Sequence, residues 1–152
     1  MKTLLTLATL IFLPFLSNAQ EVTCNDDCKT DLIESYLNDI VKIFVLGSKV
    51  DDIDTFLSQL HNDIKYEHKE YDADFTKLKW RKAFIRQHEK GFYQEQRRMQ
   101  GKILNIIYGK NHAAVEYSYG FLDKDGHWKK DHVKFALFGF KESKISLVRE
   151  YW

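Results

Sequence analysis

Apolar residues recur at helical spacing over residues 31–46, where Leu32, Ile33, Tyr36, Leu37, Ile40, Val41, Phe44 and Val45 fall on one side of a 3.6-residue repeat. Asp31 followed by Glu34 supplies a start signal and Gly47 a stop, so a first helix is predicted there. A shorter one is predicted over 51–61, burying Val50, Ile53, Phe56, Leu57 and Leu60. The period then falls to two. Over 64–71, Ile64, Tyr66 and His68 share one face of a strand while Lys65, Glu67 and Lys69 share the other, one face suited to an interior and one to water. A turn at Asp72, Ala73 and Asp74 leads to Thr76, the expected cap of a third helix that carries Leu78, Trp80, Phe84, Ile85 and His88 and stops at Gly91. Four strands are predicted beyond it, over 98–108, 112–122, 133–140 and 145–151, joined by short polar turns as an antiparallel meander.

Helix, helix, strand, helix and four strands make an α+β layout, with the helices gathered on one face of a curved sheet. Two strands are apolar on both faces. Val115, Tyr117, Tyr119 and Phe121 back onto Ala114, Glu116, Ser118 and Gly120, and Val133, Phe135 and Leu137 oppose Ala136, Phe138 and Phe140. A doubly apolar strand needs a cover on each side. The helices supply one, and a second copy of the chain is the simplest source of the other, so a homodimer is expected.

Composition changes the picture at the N-terminus. Lys2, an apolar run from Leu4 to Leu16 and the exit Ser17-Asn18-Ala19 have the form of a secretory signal, with cleavage expected after Ala19. Residues 1–19 are then a removed leader, 20–29 a short segment holding the cysteines, and 30–152 one domain; the protein is expected to be periplasmic or secreted, with no membrane anchor after signal removal. Without Lys2, 22 basic residues balance 22 acidic ones. Such a balance lacks the clustered positive charge that holds nucleic acid or anionic membrane. Cys24 and Cys28 are the whole cysteine inventory, and an exported context favours their pairing as a disulfide over redox or metal chemistry, for which the C-x3-C spacing is wrong.

Asn62 through His68, entering the first strand, and the closing hairpin from Phe138 through the polar Lys141-Glu142-Ser143-Lys144 turn to Trp152 resemble the SnoaL-like, polyketide-cyclase-like branch of the nuclear-transport-factor-2-like superfamily. The resemblance covers about residues 30–152. It implies a cone-shaped α+β barrel, three helices of the N-terminal half packed on a curved and mainly antiparallel sheet, with an apolar pocket between them and frequent dimerisation. It also implies a small apolar or aromatic molecule as ligand, either bound or turned over without a cofactor by a lyase, isomerase or cyclase.

His68 stands where ketosteroid-isomerase-like members carry their base carboxylate, and the strand position matching their second acid is Ala136. An imidazole base remains open for proton abstraction beside a carbonyl, with Tyr66, Tyr117 or Tyr119 as donor to the enolate oxygen. The alternative is that His68 is a satisfied pocket or rim histidine and the tyrosines are packing; a structural dimerisation domain is the third reading. Tyr36, Phe44, Trp80, Phe84, Tyr117, Tyr119, Phe138 and Tyr151 are the aromatics expected around a cavity, and His132 with Lys134 a place for an anion or a solvated sheet edge. Arg149 and Glu150 are expected on opposite faces of the last strand, one paired with a charge from a helix or a second subunit. The histidines are scattered without metal-ligand spacing, and no glycine-rich phosphate loop or G-x-S-x-G elbow occurs, so neither metal nor cofactor is expected.

Overall fold

The computed structural model describes residues 24–91 and 99–152; the expected export signal over 1–19 lies outside the described residues. Helix α1 spans Asp26–Ile40, starting before Asp31 because Asn25 is the cap, its side-chain oxygen accepting from the Cys28 amide at 2.9 Å. The expected Cys24–Cys28 disulfide is present and ties the residue before that cap to the first helical turn. Ile33, Tyr36 and Leu37 are the buried stripe of α1. The chain then tightens into a 3₁₀ turn, Val41–Phe44, and Gly47 adopts φ +91 where it turns away. Helix α2, Val50–Ser58, buries Ile53, Phe56 and Leu57, while Val50 stays exposed.

Strand β1 is Lys65–His68, and 69–71, expected to continue it, curl into a 3₁₀ turn. Asp72, at φ +49, reverses the chain into β2, Ala73–Thr76, which pairs antiparallel with β1. A four-residue edge strand has too few positions for a period to show, which is why that stretch reads as a turn. Thr76 still caps α3, Lys77–Glu89, as expected, and Trp80 and Phe84 point inward one turn apart while Leu78 faces water. The remaining strands are β3 (Gln100–Tyr108), β4 (His112–Leu122), β5 (Trp128–Lys130), β6 (Lys134–Lys141) and β7 (Lys144–Glu150). The short β5 escapes the sequence pattern for the same reason as β2.

Among the described residues seven strands form one curved, open sheet in the order β2-β1-β7-β6-β4-β3, with β5 beside β4, and all their pairs are antiparallel except β1 with β7. The three helices cover its inner face, giving the expected α+β cone. Gly101 lets α1 approach β3: a Cβ there would lie 2.5 Å from the Leu37 Cβ. No helix among the described residues is long and apolar enough to cross a membrane. On the outer face Val133 and Phe135 are 50% and 41% exposed.

Glu67 and Arg149 also meet on that outer face, directly opposite each other in the β1–β7 register and joined by two hydrogen bonds of 2.6 and 3.2 Å. The partner expected from a helix or a second subunit is thus a carboxylate on the neighbouring strand. Arg149 first and Lys69 second push the Glu67 carboxyl down to about 2. A carboxyl depressed in the folded state contributes stability that is complete above its unfolded value, about 4.3, and is lost as pH falls. Urea midpoints of wild type and Glu67→Gln are therefore expected to differ by a constant amount down to about pH 5 and to converge between about pH 4.5 and 2. A gap unchanged at the lowest pH contradicts this pairing.

Candidate functional site

The inner face of the sheet carries a carboxylate at its centre. In the β1–β7 register His68 lies opposite Glu150, and across β6 Glu150 lies opposite Ala136. Glu150 is 5% exposed and accepts two phenol protons, from Tyr66 to Oε2 at 2.7 Å and from Tyr117 to Oε1 at 2.6 Å. One O–H donor on each oxygen is the arrangement a carboxylate takes. Burial first, and the Glu150 charge second, push the Tyr66, Tyr117 and Tyr119 hydroxyls well above the usual phenol range, so they keep their protons.

A cavity of about 510 Å³ opens onto this carboxylate. The first helical region contributes Ile40, Val41, Phe44 and Val45; α3 contributes Trp80, Ala83, Phe84 and Gln87; the sheet contributes Tyr66, Phe75, Tyr119 and Glu150, with Met99 and Trp152 completing the wall. Trp80 stacks on Tyr66 with ring centroids 4.5 Å apart and packs on Phe84 at 5.3 Å. Glu150 is the one charged side chain among the described lining residues. The volume suits a small-molecule site, where apolar walls and a few polar groups are the rule.

Of the aromatics expected around a cavity, Phe44, Trp80, Phe84 and Tyr119 line it, with Tyr66. Tyr36 and Phe138 lie in the core, their rings 5.4 Å apart, and Tyr117 sits wholly buried beside Glu150. Tyr151 points to the outer face against Phe135, because it has the opposite parity to Glu150 on the last strand. His132 is a solvated side chain at the sheet edge, 87% exposed. Lys134 is buried with its ammonium over the Trp152 ring, 2.8 Å from the centroid, and burial lowers its pKa against the opposing pull of Glu150.

His68 is 3% exposed, its ring between Tyr71 at 4.4 Å and Trp152 at 4.6 Å, and it is absent from the described lining of the cavity. Both its ring nitrogens are buried without a hydrogen-bond partner, and Nε2 stands 3.9 Å from Glu150 Oε2, beyond hydrogen-bond range. The residue that sequence reasoning missed as a site group is Glu150. Its signal was inward parity: two positions after Val148 on a strand whose other face carries Arg149, it had to point into the core. Among the remaining polar groups, Asp123, Asp125 and His127 bring ligand atoms within 4.8 Å of one another, but Asp123 Oδ1 already accepts from the Asp125 and His127 amides, so this group closes the β4–β5 turn.

No protein-family model matches the chain, and no curated protein does. Solved structures do. An NTF2-like protein of unknown function from Burkholderia pseudomallei superposes with a TM-score of 0.52 at 13% identity, covering 84% of this chain and 92% of that one. A Catenulispora acidiphila protein with a ketosteroid isomerase-like fold, in complex with trimethylamine, gives 0.51 at 12% identity, covering 84% and 86%. The chain has the NTF2-like fold. A further NTF2-like protein, from Cytophaga hutchinsonii, gives 0.50 at 11% identity over 82% of this chain and 96% of that one. At such identities the NTF2-like assignment concerns architecture, and the chemistry has to be argued from the residues of this cone.

Proposed function

We propose that the protein is an exported binding domain that holds a small, largely apolar molecule in its cone. The observation that carries this reading is the cavity itself: aromatic walls from α3 and the sheet converge on one buried, hydrogen-bonded carboxylate. The disulfide at the start of α1 fits an oxidising compartment and supports export. Proton abstraction by His68 with a tyrosine donor is less well served, because the O–H groups of Tyr66 and Tyr117 are both given to Glu150 and His68 is packed between two rings.

Titration with Nile red, an uncharged apolar dye, tests the binding reading. The wild-type protein is expected to take up one dye per chain, and Ala83→Trp, which pushes an indole into the cavity, to lose that uptake while keeping its circular dichroism. Uptake equal in both proteins, or none in wild type, would defeat the proposal.

The outer face is proposed to be covered by a second copy, since Val133 and Phe135 are apolar and exposed there. Sedimentation at micromolar concentration is expected to give a species of roughly twice the chain mass, shifting to a single-chain mass in Phe135→Lys; a single-chain species for wild type rules the dimer out.

A further inference from the structure

The cavity has a charge character as well as a shape. Its carboxylate is 93% buried at the side chain, and a buried charge is tolerated when something compensates it. Two phenol hydrogen bonds do part of this. Among the described residues no lysine or arginine pairs with it at ion-pair distance: the Lys134 ammonium rests on the Trp152 ring and feels Glu150 at longer range, and His68 Nε2 stands 3.9 Å away. The same lining carries the rings of Phe44, Trp80, Phe84 and Trp152, and an aromatic ring is negative over its face. Trp152 already receives one ammonium, from Lys134, which shows that this indole accepts a cation.

Four ligand classes meet different fates in such a site. An anion faces Glu150 with no cation among the described lining residues to offset it. A neutral apolar molecule leaves the carboxylate against hydrocarbon. A carbonyl compound finds the Tyr66 and Tyr117 protons already committed, which leaves Tyr119 as its one candidate tyrosine donor. An organic cation finds both a countercharge and rings, and its alkyl groups fill the apolar volume. We infer that the cavity takes a small organic cation, a tertiary or quaternary ammonium or a protonated amine with apolar substituents, its nitrogen directed at Glu150 and its alkyl or aryl groups against Trp80, Phe84 and Trp152. This rests on the binding reading above and narrows it to one class of ligand.

The test uses two probes of the same size and shape, benzyltrimethylammonium and its uncharged carbon isostere neopentylbenzene, titrated while the fluorescence of Trp80 and Trp152 is followed. Wild type is expected to bind the cation at least tenfold more tightly than the isostere, and Glu150→Gln to lose most of that preference. Should near-UV circular dichroism show Glu150→Gln to be misfolded, the wild-type comparison decides alone, because the two probes differ in charge and not in shape. Equal or tighter binding of neopentylbenzene, binding of neither probe, or a preference that survives in folded Glu150→Gln overturns the inference. Nile red titrated in parallel separates the two levels: uptake of dye without preference for the cation removes the ligand class and leaves the binding reading standing, whereas absence of uptake of the dye and of both probes removes both.

Discussion

Replacing Glu150 by alanine is expected to lower stability by about 2 to 4 kcal/mol, because two hydrogen bonds to a charged acceptor are lost and two phenols are left without one. Tyr117 is 0% exposed, so its stranded hydroxyl has no easy route to water. Against this loss stands the desolvation of the carboxylate, which is relieved when the charge is removed. The balance can be isolated with a cycle. In a Tyr66→Phe/Tyr117→Phe background the carboxylate has lost both donors, and Glu150→Ala should then cost far less than in wild type, or become stabilising. Glu150→Gln should fall between, near about 1 to 2 kcal/mol, since the amide oxygen still accepts from one phenol and the amide NH₂ can donate to the other. Urea unfolding of the five proteins measures this. An equal cost for Glu150→Ala in both backgrounds would mean that the tyrosine bonds are not what holds the acid in place.

Trp80→Ala is the second large effect, with an expected loss of about 3 to 5 kcal/mol. Trp80 is 3% exposed and touches the rings of Tyr36, Phe56, Tyr66 and Phe84, so it joins α1, α2, α3 and β1 in one cluster. Such a loss is a large fraction of the 5 to 15 kcal/mol, roughly, that holds a domain folded. The same substitution merges the space of the indole with the cavity, so collapse of the walls is the way the site would respond. Trp80→Phe keeps a ring in the cluster and should recover more than half of the loss. A midpoint shift for Trp80→Ala equivalent to less than about 1 kcal/mol would show that the cluster is not the keystone of the inner layer.

The two variants act on different parts of one arrangement. Trp80 is presented by a helix whose apolar spacing is plain, and its inward direction follows from the turn it shares with Phe84. Glu150 is presented by a strand, and its surroundings come from three other strands. Tyr66 is 84 residues away in sequence and Tyr117 is 33 away, yet each donates to a different oxygen of the same carboxylate. The small side chain of Ala136, directly across from Glu150, belongs to the same pattern. So does the separation of Trp152 from Tyr151: alternate parity sends the first to the cavity wall and the second to the outer face beside Phe135.

The three helices, the inward face of Ile64, Tyr66 and His68, the cap at Thr76, the stop at Gly91 and the meander of β3, β4, β6 and β7 were legible in the sequence, because each is written by periodicity and capping within a dozen residues, whereas the first helix ends at Ile40, short of the expected stop at Gly47. Local patterns of that kind determine which face a side chain takes. They do not determine which strand lies beside which, or in what register. The short edge strands β2 and β5 are held by backbone pairing with neighbours, and the parallel β1–β7 pair joins the beginning of the sheet to the end of the chain. Only that tertiary pairing set Glu150 across from His68, within reach of Tyr66 and Tyr117, and so turned an acid expected to have a structural role into the polar centre of an aromatic cavity. The physical reason is that alternation along a strand is a property of one chain segment, whereas a hydrogen-bonded carboxylate in a low-dielectric interior is a property of several segments brought together.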